Sequence, residues 1–201
     1  ISVTGTVESR PYIDMTVDAM RRFGVSVTEK DATFCVSGAY RSAGRLCAEG
    51  DWSNAAFWLV AQAILPEAAL AVTGLDARSL QGDRVIAEII RSTNGLTVPL
   101  DIDAAQIPDL VPVLAVCACF AEGTTRITNA ARLRIKESDR LCSTAALLNA
   151  LGGKAEELPD GLLITGVGQL QGGFADGCND HRIVMAAATC AANCGSTSTC
   201  S

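Results

Sequence analysis

KESDRLCSTAALLNALGGKAEELPDGLLITG, residues 136–166, carries three structural signals in one run. Its first half is an amphipathic helical pattern that runs to Leu151 and closes on Gly152-Gly153. Glycine after the last turn accommodates the left-handed backbone with which many helices end. The second half places two short apolar stretches around Pro159-Asp160-Gly161, the composition of a hairpin turn.

The same order, helix then Gly or Asn then strand and turn, recurs twice upstream. PYIDMTVDAMRRFGVSVTEKDATFCVSG, residues 11–38, sets Ile13, Val17, Met20 and Phe23 at helical spacing, with Gly24 behind them and a hairpin pattern after it. GDRVIAEIIRSTNGLTVPLDI, residues 82–102, sets Val85, Ile86, Ile89 and Ile90 on one face and closes at Asn94-Gly95. Between these segments the pattern predicts helices over 51–65, 108–121 and 180–193, and strands near 69–73 and 124–128. Helices alternating with strands and hairpins, in a degenerate repeat, predict an α/β fold of repeated βαβαββ-like units.

The 201 residues, 49% hydrophobic and 19% charged, have the balance of a packed globular chain rather than a disordered one. The most apolar runs, 110–121 and 55–65, fall short of the ~20 residues a bilayer span needs. Residues 1–10 have neither the basic start nor the apolar stretch of a signal peptide, so the expected location is the cytoplasm. A net charge of −6 argues against general attraction to nucleic acid or to an anionic membrane. Of nine cysteines, Cys117, Cys119, Cys142, Cys190 and Cys194 lie in apolar helical patterns where reduced Cys serves as a small buried hydrophobe, while Cys200 sits in a polar tail and is expected to be exposed. With His181 as the single histidine, a four-ligand zinc site is not expected.

Charge is nonetheless focused locally. Residues 126–140 hold Arg126, Arg132, Arg134, Lys136 and Arg140 against Glu137 and Asp139. Lys136 and Arg140, four apart, fall on one face in the first turn of the predicted helix. Cations at a helix N-terminus oppose the helix dipole and call for an anionic partner. The arrangement recurs at Asn179-Asp180-His181-Arg182, with Asn179 as the expected N-cap and Arg182 at the helix start. Free backbone N–H groups beside guanidinium forks suit phosphate or carboxylate. An ordinary solvated face for these charges, and a purely dipole-stabilising role for Asp109 after Pro108, are the plainer alternatives.

The strings SRPYID, EGDWSNAAFWLVA, QGD, IPDLVPVLAV, RLRIKESDRL and NDHRIVMA follow one another through residues 9–186. In identity, order and spacing they resemble the 5-enolpyruvylshikimate-3-phosphate synthase family, and KESDRL with a downstream NDHR is a highly specific pair. The resemblance implies two domains, each of three βαβαββ units, with residues 1–49 as the last unit of the N-terminal domain. Residues 50–201 would be most of the C-terminal domain, lacking its final strand and helix. It implies transfer of an enolpyruvyl group from phosphoenolpyruvate to shikimate 3-phosphate, with no metal or organic cofactor. Asp109 resembles the general base and Glu137 the carboxylate that moves the proton at the methylene carbon. Lys136, Ser9 and Tyr12 resemble contacts to shikimate 3-phosphate, while Arg140, His181 and Arg182 resemble the residues around phosphoenolpyruvate.

Arg132 stands where some members have Asn, which leaves its role open. The family's N-terminal portion has no counterpart here and is expected as a partner, without which the chain would be inactive. A second enolpyruvyl transferase, acting on UDP-N-acetylglucosamine, shares the fold but lacks the NDHR string and uses a loop cysteine that none of these nine matches. A non-catalytic fragment is the remaining alternative.

Overall fold

Helix α1 (Arg10–Arg22) starts with Pro11 in its first turn, where a missing N–H costs nothing, and ends before Gly24 at φ 81°. The antiparallel hairpin β1 (Ser26–Lys30) and β2 (Thr33–Ser37) follows it, as the sequence predicts. The structure, a computed structural model, describes residues 1–194 together with the backbone of residues 199–200. Val25, Val27 and Phe34 form a small apolar cluster of their own, with Ile13, Val17 and Met20 of α1 packed against it.

The main core lies elsewhere, from Trp52 to Cys190. Helix α2 (Trp52–Ile64) is capped by Asp51, whose carboxylate accepts from Ser53 N–H at 2.9 Å. Gln81 ties the Glu49-Gly50-Asp51 and Gln81-Gly82-Asp83 strings together. Its side chain donates to Glu49 at 3.0 Å and to the Gly50 carbonyl at 2.9 Å, and accepts from Trp52 N–H at 2.8 Å. Gly50 is required by a separate close approach, since an added Cβ would lie 2.5 Å from the Gly74 carbonyl oxygen.

Helix α3 (Ile86–Ser92) follows a 3-10 turn at Gly82–Val85 and leads to β3 (Asp101–Asp103). From there the chain runs through α4 (Val111–Phe120), β4 (Thr124–Thr128), α5 (Arg140–Ala150), β5 (Lys154–Leu158) and β6 (Gly161–Thr165). These residues are one complete βαβαββ unit. Its sheet has the order β3-β4-β6-β5, with β3 and β4 parallel and the other pairs antiparallel. All ten residues of α4 are buried, so its sequence is apolar on every side rather than striped. The predicted turn falls at Pro159-Asp160, and Gly161 is required because a Cβ there would overlap the Ile127 carbonyl. The parallel pair β7 (Phe174–Ala175) and β8 (Thr199–Cys200) flanks α6 (His181–Ala191).

Two expectations are corrected here. Residues 69–73 form no strand, since among the described residues they have no ladder partner, and Gln62 instead donates from its side chain to the Leu70 carbonyl at 2.8 Å. Cys142 is exposed, while Cys117, Cys119 and Cys190 are buried and Cys194 is partly so. It falls on the outer stripe of α5 with Ala146 and Asn149, opposite Leu141 and Leu148. The Cys200 side chain lies outside the described residues. Among the described residues no helix is long and apolar enough to cross a membrane, and no group of three or more His, Cys, Asp or Glu could hold a metal ion.

Candidate active site

Helix α5 starts at Arg140, later than the sequence pattern suggests. Asp139 caps it, accepting from Cys142 N–H at 3.2 Å, and Lys136 lies outside the helix in extended backbone. Lys136 and Arg140 therefore share a site without sharing a helix face. Arg134 fixes the intervening loop. It donates to Asp139 at 2.9 Å, Glu157 at 2.6 Å and the carbonyls of Leu158 and Pro159, which binds residues 136–139 to the β5–β6 turn. Its charge is thus consumed by structure.

At the other helix start the cap is Asp180, not Asn179. The Asp180 carboxylate accepts from Arg182 N–H at 2.9 Å, while Asn179 occupies the left-handed region at φ 51°. Asp180 is the functional neighbour that sequence reasoning missed, although its N-cap residue type and position one residue before His181 were both visible.

Arg140 is the hub, with its side chain 2% exposed. Its Nε donates to Asp180 Oδ2 at 2.7 Å, its Nη1 to Asp109 Oδ1 at 2.9 Å and its Nη2 to Glu137 Oε2 at 2.6 Å. Ser138 adds a bond to Asp180 at 3.0 Å. Lys136 Nζ stands 3.4 Å from Asp109 Oδ1, and Arg182 Nη2 stands 3.6 Å from Asp109 Oδ2. Tyr12 completes the shell, its phenol donating to Asp109 Oδ2 at 2.9 Å. Three cations and a phenol from four separate segments thus meet on one carboxylate, which a helix-dipole role for Asp109 does not explain.

The charges act on one another as this packing requires. Burial works to raise the Asp109 carboxyl, but Arg182, the Tyr12 hydrogen bond, Lys136 and Arg140 together hold it below the usual carboxylate range. At Asp180 burial is likewise outweighed, chiefly by the hydrogen bond from Arg140. Tyr12 is pushed well up by burial and by the Asp109 charge.

Arg182 differs from Arg140 in being unsatisfied. Its side chain is 11% exposed, yet Nε and Nη1 have no hydrogen-bond partner among the described residues. It lines a cavity of about 400 Å³ with Tyr12, Asp109, Ser53 and Asp83. Asp83, buried here, is pushed up by desolvation, which outweighs the opposing pull of the neighbouring Ser53 hydroxyl. Neither stood out in the sequence beyond the strings that contain them. The remaining predicted residues stand at the margin. Ser9 takes a 3.4 Å bond from Arg132, Glu137 is half exposed, and the His181 side chain is 61% exposed with Nδ1 3.9 Å from Asp180 Oδ1.

A βαβαββ unit flanked by α1 and α6, with two helix starts, a lysine and a tyrosine meeting on one carboxylate, defines an α/β protein of the enolpyruvyl transferase fold. Residues 1–199 match the family model of EPSP synthase (3-phosphoshikimate 1-carboxyvinyltransferase), and the chain belongs to that family. It is similar to 3-phosphoshikimate 1-carboxyvinyltransferases from Clostridium acetobutylicum, at 44% identity over 96% of this chain, and Methanopyrus kandleri, at 41% over 94%. It spans about half the length of these curated relatives, 48% and 47% respectively. An EPSP synthase structure from Acinetobacter baumannii shares the fold, with a TM-score of 0.71 at 24% identity over 90% of this chain and 48% of that one.

Proposed function

We propose that the whole protein transfers the enolpyruvyl group of phosphoenolpyruvate to the 5-hydroxyl of shikimate 3-phosphate, and that this chain supplies the Asp109 side of the site. The observation that carries the reading is the meeting of Lys136, Arg140 and Arg182 on Asp109, with the Tyr12 phenol on the same carboxylate. Cations so placed suit substrates that carry phosphate and carboxylate groups.

In this reading Glu137 delivers a proton to the methylene carbon. Asp109 takes the proton of the 5-hydroxyl as its oxygen bonds to the adjacent carbon. The new methyl group then returns a proton to the Glu137 carboxylate, the carbon–oxygen bond to phosphate breaks with its electron pair leaving on oxygen, and phosphate departs. Bound anions would draw Lys136 and Arg182 away from Asp109, and its basicity would rise when a base is needed. Arg140, whose three nitrogens are taken up by carboxylates, serves chiefly to organise the site. Arg182, which lines the cavity and holds two unpaired donors among the described residues, binds phosphoenolpyruvate, and the exposed His181 next to it in sequence contributes to the same substrate's binding.

The reading includes a division of the chain, with residues 1–49 completing an N-terminal domain whose remainder is the partner, and residues 50–201 forming most of the second domain. The separate apolar cluster of residues 25–34 supports it. A cytoplasmic location is supported by eight free cysteines among the described residues.

The test is reconstitution. Completed with the N-terminal portion and the final strand and helix of the Clostridium acetobutylicum relative, the chain should release phosphate from phosphoenolpyruvate when shikimate 3-phosphate is present, and not with UDP-N-acetylglucosamine. Release with the sugar nucleotide, or none from a folded and associated pair, would overturn the reading.

A further inference from the structure

We infer that Gln106 is a positioning residue of the proposed site, capping helix α1 from the opposite segment so that Ser9 and Tyr12 are free to face Arg132 and Asp109. The inference rests on the reading that Tyr12 and Asp109 share one site.

Ser9 holds the cap position of α1, and serine there ordinarily accepts from a backbone N–H of the first turn. Its hydroxyl makes no such bond. It sits instead at φ 55°, ψ 38°, a left-handed conformation that is unfavourable for a non-glycine residue and has to be held by its surroundings.

What holds it is Gln106. Gln106 Oε1 accepts from Arg10 N–H at 2.7 Å, and Nε2 donates to the Val7 carbonyl at 3.0 Å. Beside it Ser9 N–H donates to the Ala105 carbonyl at 3.0 Å. Pro11 has no N–H, and Tyr12 N–H donates to the Ser9 carbonyl at 3.1 Å. The first donors of α1 are therefore satisfied without the Ser9 hydroxyl, which is left to accept from Arg132.

The clamp also sets a distance. Gln106 precedes Asp109 by one turn of chain through buried Ile107 and Pro108, and Arg10 precedes Tyr12 by two residues. Both ends of the 2.9 Å Tyr12–Asp109 bond are thus tied to the same two Gln106 hydrogen bonds. Gln106 is itself exposed, so its replacement leaves the core intact.

The experiment is an NMR pH titration of the Asp109 side-chain carboxyl in the 201-residue chain, its Gln106→Met and Tyr12→Phe variants, and the double variant. Each single change should move the Asp109 midpoint upward, and the double variant should move it no further than Tyr12→Phe alone. Gln106→Ala should repeat the Gln106→Met result, with amide spectra reporting the fold. A Gln106→Met midpoint equal to the parent's, or a shift that adds in full to that of Tyr12→Phe, would overturn the inference while leaving the shared site intact. A silent Tyr12→Phe variant would remove the shared-site reading, and this inference with it.

Discussion

Replacing Arg140 by methionine should destabilise the chain by about 3 to 5 kcal/mol in urea unfolding, the cost of leaving a buried carboxylate without its partner. The side chains of Arg140 and Asp180 are 2% and 0% exposed, and without Arg140 the hydrogen-bond donors left to Asp180 among the described residues are Ser138 and the Arg182 backbone. Arg140→Lys should recover little, because one ammonium cannot reach Asp180, Asp109 and Glu137 together. The pH dependence follows from the direction of the shifts. Asp109 and Asp180 both have folded pKa values depressed below their unfolded ones. Their contribution is therefore present above the unfolded carboxylate range of about 4 and is lost as pH falls through the folded values. The gap between parent and Arg140→Met should narrow in acid. A variant within about 1 kcal/mol of the parent at neutral pH would show that Arg140 is not the hub.

In the reconstituted enzyme, Asp109→Asn should lower kcat by about 10²- to 10⁴-fold, the range expected for loss of a general base. Asparagine keeps the shape and can still accept the Tyr12 hydrogen bond, so the KM for shikimate 3-phosphate should change far less than kcat. Steady-state phosphate release, measured against pH, separates the two effects. Loss of the acidic limb of the profile together with the fall in kcat is the expected signature. An unchanged kcat would assign the base to another group.

The local elements were legible because their signals are local. Gly24 and Gly152 at positive φ mark helix ends, and the Pro159-Asp160 turn was predictable from three residues. The strand expected at 69–73 failed for the converse reason, since strand formation depends on a distant ladder partner that residue pattern alone does not reveal. Helix starts were legible to within a few residues. Asp139 and Asp180 won the cap positions, which moved Lys136 out of the helix and Asn179 into a left-handed turn.

The site was legible in its members more than in its wiring. Basic residues at two helix starts pointed to an anion, but nothing local distinguished saturated Arg140 from Arg182 with its free donors. Tyr12 and Asp109 lie 97 residues apart, and their hydrogen bond was reachable only through the family resemblance. Asp83 and Ser53 were passed over because burial, which gives them their character, is a property of the fold.

The central claim is that the Asp109 cluster is an anion-binding half-site with Arg182 as its open donor. A phosphate titration of the 201-residue chain, followed at the arginine Nε–H signals by NMR, tests it most directly. The Arg182 signal should shift saturably with a dissociation constant of order 1 mM, about −4 kcal/mol, and the affinity should fall as ionic strength rises. Arg182→Ala should abolish the response, while the signal of Arg78, 91% exposed, should stay still. An Arg182 signal that does not respond, or that moves no more than Arg78, would contradict the account.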